Sequence, residues 1–422
     1  MGKHILVTSI SSWNQKTGSD TFSSLFKTFD PRDLANIYIS GDIPDSQVCS
    51  RYFHIDEMSV VKSVFNRRQK TGVEVAPIST SESTNRAINS TKRQLKRRRI
   101  YLWMREIAWK FGCWKSKDLK EFLKDFRPEV LVFSIEAYPY FNRLNNYIIK
   151  ECKPKKVIGY LWDDNFTYKQ QPNSPIFKIE RFFLRKHVRW LVNNCTDVLA
   201  ISPKMKEECD AEFGINSIVL TKPIFNQQPF QNYDVSIPNH ILYTGKLIIG
   251  RENTIATIAQ TIKKLNSDGQ KVILDVYTNT ILSEELKSKI DIPECCVLHA
   301  PVPQSEVAGL QSKADVLLFA ESLSDDNLTA RLSFSTKLTD YFAAGKCIWA
   351  VGNMDLGPIS YIKNENAGFV SSNKDEIDSV LESFISDATC ISNMAKSGYE
   401  CGIRNHNGNQ IITTLKNVIY GE

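Results

Sequence analysis

Ser335, Thr336 and Lys337 stand at the front of an aromatic-faced stretch, FSTKLTDYFAAGKCIWAVG (334–352), and their types suit the binding of an anion. A hydroxyl side chain can cap a helix start, and the free N–H groups of that first turn, with a cation beside them, hold a phosphate or carboxylate. A second stretch, YTGKLIIGREN (243–253), sets Lys246 and Arg251 in the loop after an apolar run that ends in Gly245. Glycine lets a ligand approach the backbone, and two cations at a strand's carboxyl end beside a helix start suit a pyrophosphate. A solvated basic loop accounts for Lys246 and Arg251 equally well. Asp163 and Asp164 in YLWDDNF read either as a helix cap with a solvated neighbour or as a carboxylate pair with base chemistry. Gly18 and Ser19 in QKTGSD sit in the first loop after the opening apolar run, where a plain helix cap accounts for them.

These residues sit on a repeating grammar of strands and helices. HILVTSI (4–10) and NIYISG (36–41) are short apolar runs, with the helical pattern SDTFSSLFKTF (19–29) between them. Residues 45–95 read as polar and irregular, and a basic, Trp-rich helical region follows to Arg127. VLVFSIE (130–136), KVIGYLW (156–162), VLAIS (198–202) and VLTKPI (219–224) continue as strands, and NQQPFQNYDVSIPN reads as a loose linker. The pattern then restarts with HILYTG (240–245) and a helix over 253–269. VILDVYT, CVLHAPV, DVLLFAE, KCIWAVG and AGFVSS supply further strands. Two strand-helix-strand series imply two doubly wound, Rossmann-like α/β domains facing each other, with the ligand in the cleft at the strands' carboxyl ends. The boundaries are 1–225, a linker over 226–239, and 240–400, with 401–422 as a helix crossing back to the first domain.

The chain has 422 residues, 42% hydrophobic and 24% charged, a length that suits two domains. Residues 1–225 hold 37 Lys+Arg against 24 Asp+Glu, and the rest hold 16 against 23, so a basic half is joined to an acidic one. No apolar stretch reaches the roughly 20 residues that span a bilayer, and MGKHILVTSI reads as a first strand, not as an export signal. Ten cysteines without CxxC spacing read as reduced core thiols, which makes the cytoplasm the expected compartment. GxGxxG is absent, no Asp-x-Asp lies at a strand end, and no His/Cys cluster has ligand spacing, so neither a dinucleotide fingerprint nor a metal is expected. The six histidines are isolated and read as structural, with one near the cleft available as a base. In TKRQLKRRRIYLWMREIAWKFGCWKSK (91–117), Tyr101, Trp103, Ile107, Trp109, Phe111 and Trp114 are interleaved with Arg and Lys, and KIERFFLRKHVRW (178–190) repeats the composition. That mixture suits the inner, anionic face of a membrane; a nucleic-acid surface and an ordinary core helix are the competing readings.

Taken together, Gly-Lys-Leu-x-x-x-Arg at 245–251 and Ser-Thr-Lys-Leu-x-Asp-Tyr-x-Ala-x-Gly-Lys at 335–346 resemble the C-terminal domain of GT-B glycosyltransferases. The likeness is to family 4, the retaining group that builds bacterial polysaccharides. It covers most of 195–372, including CTDVLAISPKMKEE, and is thin over 1–190. The resemblance implies a nucleotide-diphosphate-sugar co-substrate, of UDP or GDP type, with no other cofactor. It implies that Lys246 and Arg251 neutralise the diphosphate, joined by Lys337 and the N–H groups at Ser335 and Thr336. Asp340, where the family has glutamate, would take the ribose hydroxyls; the loop at Val302 would meet the base; Glu321 would contact the donor sugar. Catalysis would rest on Lys246, Arg251, Glu321 and Asp163, and the acceptor side on Gly18, Ser19, Asp163 and Asp164. The family's other glutamate falls at Leu332, a departure that Glu321, Asp325 or Asp326 would have to make good. The acceptor would be a glycan or lipid-linked glycan reached from an anionic membrane surface, with no nucleic acid involved. The rival readings are a nucleotide-sugar epimerase on the same fold, a sugar-nucleotide binding protein without turnover, and a nucleic-acid protein supported by charge alone.

Overall fold

The computed structural model describes residues 2–14, 21–77, 99–225 and 227–421. Gly18 and Ser19 lie outside them. The first sheet comprises β1 (Ile5–Ser11), β2 (Leu34–Ser40), β3 (Arg51–Ile55), β4 (Gly72–Val75), β5 (Val130–Ser134), β6 (Lys156–Leu161), β7 (Asp197–Ala200) and β8 (Ile218–Val219). Its order is β4-β3-β2-β1-β5-β6-β7-β8, parallel except where β4 runs against β3. The second sheet comprises β9 (Asn239–Thr244), β10 (Val272–Tyr277), β11 (Cys296–His299), β12 (Val316–Ala320), β13 (Cys347–Val351) and β14 (Phe369–Ser371). It is parallel throughout, in the order β11-β10-β9-β12-β13-β14. In both sheets the order turns back beside the first strand, and at such a switch point adjacent loops part and leave a crevice.

The central strands are apolar on both faces because helices cover both. Along β12, Val316, Leu318 and Ala320 face one core, while Leu317 and Phe319 face another that continues into the first domain. β3 and β4 fall in the region read as irregular. Arg51 and His54 interrupt the apolar pattern of β3, and β4 is an edge strand with Val73 and Glu74 exposed. The linker is anchored to the second domain: the Tyr233 hydroxyl donates to the Asp315 carbonyl at 2.7 Å and accepts from the Cys347 N–H. The last helix, Gly408–Tyr420, returns to the first domain, where the Lys3 ammonium donates to the carbonyls of Ile419 and Tyr420, each at 3.1 Å.

A buried ionic seam joins the domains. Arg331, 3% exposed and in the loop after β12, donates to Glu208 of helix Pro203–Phe213 and lies 3.5 Å from Asp164. Asp164 also receives Arg181 at 3.5 Å and the Thr167 N–H at 2.9 Å. Around it, Gln170 donates to the Thr329 carbonyl and Lys204 to that of Asp355. His406 is fully buried between the rings of Phe334 and Phe342, and burial holds its imidazole down to about 4, so it is a neutral packing group. Removing one member of a buried ion pair strands the other charge, at a cost of about 3–5 kcal/mol. Arg331→Met is therefore expected to lower stability by about that amount in urea denaturation. A loss below about 1 kcal/mol would show that the seam contributes little.

Candidate active site

Gly245 ends β9 with φ of +148°, a conformation that glycine adopts at low cost, and a Cβ there would fall 2.0 Å from the Lys337 ammonium. That close approach seats Lys337 over the strand end, 4.8 Å from the centre of the Tyr243 ring. Lys337 rides on the helix Thr336–Ala344, capped by the Ser335 hydroxyl, which accepts the Lys337 N–H at 3.4 Å; Gly345 ends the helix in the left-handed conformation. Arg251 opens the helix Arg251–Leu265 directly after Gly250. Its guanidinium grips Glu321 bidentately, Nε to Oε2 at 2.9 Å and Nη2 to Oε1 at 2.6 Å. Burial, with the Arg251 and Lys246 charges, holds the Lys337 ammonium down to about 8.

Lys246, Arg251, Lys337, Gly245, Val302 and Asp340 all line one cavity of about 380 Å³ at the strands' carboxyl ends. Asp340 points at Lys222 of the first domain, 3.4 Å away, and burial raises its carboxyl despite that cation. The same cavity is lined by Tyr277 at the end of β10, by Thr278 and Asn279 after it, and by Gln304 and Gln311. Those five went unread because nothing in their types marks them; only their place at a strand end or over the cavity does. Ser335 faces a neighbouring chamber of about 440 Å³ that holds Arg251 and Glu321 on one side and Asp163 and Asn165 on the other. Thr336 faces a third cavity, on the first domain's side.

The acidic pair divides. Asp163 is wetted by the cleft and accepts the Ser333 hydroxyl, and the surrounding walls push its carboxyl upward. Asp164 is fully buried in the ionic seam, so its placing on the acceptor side is corrected to a structural role. Glu321 is a partner of Arg251, a pairing that sequence spacing does not reveal. Asp325 and Asp326 are engaged by Asn353 and Asn173, and Leu332 is 0% exposed, so no carboxylate stands in that register. Among the described residues, no group of three His, Cys, Asp or Glu side chains is arranged to hold a metal ion.

No family profile and no characterised sequence matches the chain. Solved structures match it in fold. HepE of Anabaena, in complex with UDP, aligns over 100% of both chains with a TM-score of 0.60 at 10% identity. Sucrose-phosphate synthase from Thermosynechococcus elongatus aligns over 100% of this chain and 99% of its own, with a TM-score of 0.61 at 12% identity. The apo form of the lipopolysaccharide outer core galactosyltransferase WaaB aligns over 99% of both chains, with a TM-score of 0.57 at 13% identity. The chain has the GT-B architecture: two Rossmann-like domains facing across a cleft.

The Gly245 seat is testable alone. Gly245→Ala is expected to cost about 1–3 kcal/mol in urea denaturation, because the backbone is left-handed there and Lys337 must move. Gly309→Ala, in helix Gln304–Lys313 with open space around it, is expected to be neutral or to stabilise by up to about 1 kcal/mol. Equal stabilities would mean that the close approach imposes no constraint.

Proposed function

We propose that the chain is a glycosyltransferase that moves a sugar from a nucleoside-diphosphate donor to a glycan or lipid-linked glycan, in the assembly of a bacterial cell-surface polysaccharide. The observation that carries this is the convergence of Lys246, Arg251 and Lys337 on one cavity beside a helix start. Three cations around one cavity are a poor design for a neutral ligand and a good one for a diphosphate. HepE, similar in fold, is solved with UDP and with UDP-glucose, which makes UDP the first nucleotide to test and GDP the second.

In this reading the three cations stabilise the charge that grows on the diphosphate as the sugar departs with oxocarbenium character, in place of a metal. The N–H groups at Ser335 and Thr336 add to them. Asp340 takes the ribose hydroxyls, and the backbone at Pro301 and Val302 meets the base. Glu321 holds Arg251 in position and faces the chamber in which the donor sugar would lie. Asp163, across that chamber, meets the acceptor. Retention of anomeric configuration is the outcome that the resemblance implies, and proton NMR of the first product reads it directly.

Titration calorimetry with UDP and GDP, alone and as sugar conjugates, tests the site. Lys337→Met and Arg251→Ala are each expected to weaken the preferred nucleotide by about ten-fold or more, the value of a charge-assisted contact. Lys337 carries charge below about 8 and loses it above. Wild-type affinity should therefore fall as pH rises through 8, and Lys337→Met should flatten that fall. Absence of binding by any nucleotide would remove the transferase reading. Binding without slow release of nucleotide from the sugar conjugate would favour the non-catalytic binder, and interconversion of the free nucleotide sugar would favour the epimerase.

The surface supports a membrane-bound source for the acceptor. Trp109 and Trp114 belong to the core, but Trp103, Met104, Ile107, Ile179, Phe182 and Phe183 are each at least half exposed. The Trp103 indole donates to Glu180 at 3.4 Å, so helices Arg99–Phe111 and Pro175–Asn193 present these side chains together, and Lys186 lies over Phe182 and Phe183. Exposed apolar side chains with a lysine over them suit an anionic bilayer surface; no described helix is long and apolar enough to cross one. Cosedimentation with phosphatidylglycerol vesicles is expected, weakened by salt and by Trp103→Glu with Phe182→Glu. Equal binding to purely zwitterionic vesicles, or none to either, would overturn this assignment.

A further inference from the structure

The third cavity, about 310 Å³ on the first domain's side of the cleft, contains a carboxyl group that the reading above does not use. Glu136 follows β5 and is 8% exposed. Its backbone is clamped by Asn142, whose amide donates to the Glu136 carbonyl at 2.9 Å and accepts the Glu136 N–H at 3.3 Å. Asp163 follows β6, the strand beside β5, so the two carboxyl groups share one wall. Trp162 forms the adjoining wall and is partly open. Phe22 at 5.1 Å and Tyr160 at 5.4 Å hold its ring in place. The cation on this cavity, Lys222, is already held by Asp340.

We infer that this cavity takes an uncharged sugar ring, the acceptor end of the transfer, with Glu136 and Asp163 bonding its hydroxyls and Trp162 covering its apolar face. The word acceptor rests on the transferase reading; the recognition of the ring does not. A sugar ring combines hydroxyl donors at its rim with C–H groups on its face, and a fixed aromatic plane beside one buried and one open carboxyl group matches both. Burial, with the neighbouring Asp163 charge, pushes the Glu136 carboxyl up to about 7, so near neutral pH Glu136 can donate to a hydroxyl as well as accept from one. A carboxylate on the sugar would meet two carboxyl groups, and among the described residues the wall's cation, Lys222, is already paired with Asp340, so acidic sugars are disfavoured.

The test uses the full chain and follows tryptophan fluorescence, with calorimetry as the second measurement. Methyl glucoside, methyl galactoside, methyl N-acetylglucosaminide and methyl glucuronide are titrated alone, with UDP and with UDP-glucose. At least one neutral glycoside is expected to bind and change the fluorescence, with the glucuronide about ten-fold weaker or absent. Glu136→Gln, nearly isosteric, is expected to weaken the neutral glycoside by about ten-fold. Trp162→Phe should keep most of the calorimetric affinity while losing the optical signal. No neutral glycoside bound, glucuronide bound as well, or an unchanged affinity in Glu136→Gln would each overturn the inference. Loss of glycoside binding with UDP-glucose but not with UDP would place the donor's sugar here and overturn the acceptor assignment. Because the glycosides are also titrated alone, a chain that binds no nucleotide refutes the transferase reading without touching the result for the ring.

Discussion

Gathering Lys246, Arg251 and Lys337 around one cavity costs electrostatic free energy, and Glu321 offsets it. Like charges repel more strongly where water is scarce, and the Lys337 ammonium is depressed first by burial and then by the Arg251 and Lys246 charges. Glu321, 2% exposed at the end of β12, gives the cluster its fixed counter-charge. Its two oxygens take two of the guanidinium's donors, setting the Arg251 plane and leaving the other donors to the cavity. Strand end, helix start and cation thus become one rigid unit. A diphosphate entering it would meet charges already oriented, which is the economical way to stabilise a leaving group.

The second constraint is the seam between domains. A cleft is useful only if its two walls keep their distance, and here that spacing is held by Arg331 reaching from the second domain to Glu208 and Asp164 of the first. The returning helix Gly408–Tyr420 ties the other side. Between these ties lie three connected spaces. The cationic cavity shares Arg251 with the middle chamber, and the middle chamber shares Asp163 and Ser333 with the aromatic cavity. On the proposed reading, donor, reacting sugar and acceptor line up along one cleft.

Much of the architecture was legible because parallel strands buried on both faces are written as continuous apolar runs, and each such run from HILVTSI to AGFVSS lies where a strand occurs, except VLTKPI, which meets β8 only at Val219. β4 escaped because an edge strand carries polar residues on its open side and loses the signal, and β3 because Arg51 and His54 interrupt its apolar run. The linker read as loose because its proline and asparagine content is that of a loop, while its anchoring through Tyr233 is a long-range contact. The cations of the candidate site were legible because glycine, lysine and a helix cap recur at fixed spacing. Asp164 misled because neighbouring residues at a strand end point in different directions, one into the cleft and one into the seam.

The sequence by itself determined the two-domain α/β architecture, the basic and acidic halves, and the set of positive charges near a helix start. These are local properties, set by periodicity, capping and composition. Only the tertiary structure decided which charges answer one another. The pairing of Arg251 with Glu321, the burial of Asp164 against Arg331, and the meeting of Glu136 with Trp162 and Asp163 join residues far apart in the chain or facing different spaces. Such contacts leave no trace in spacing, because their energies depend on distance and solvent exposure in the folded chain.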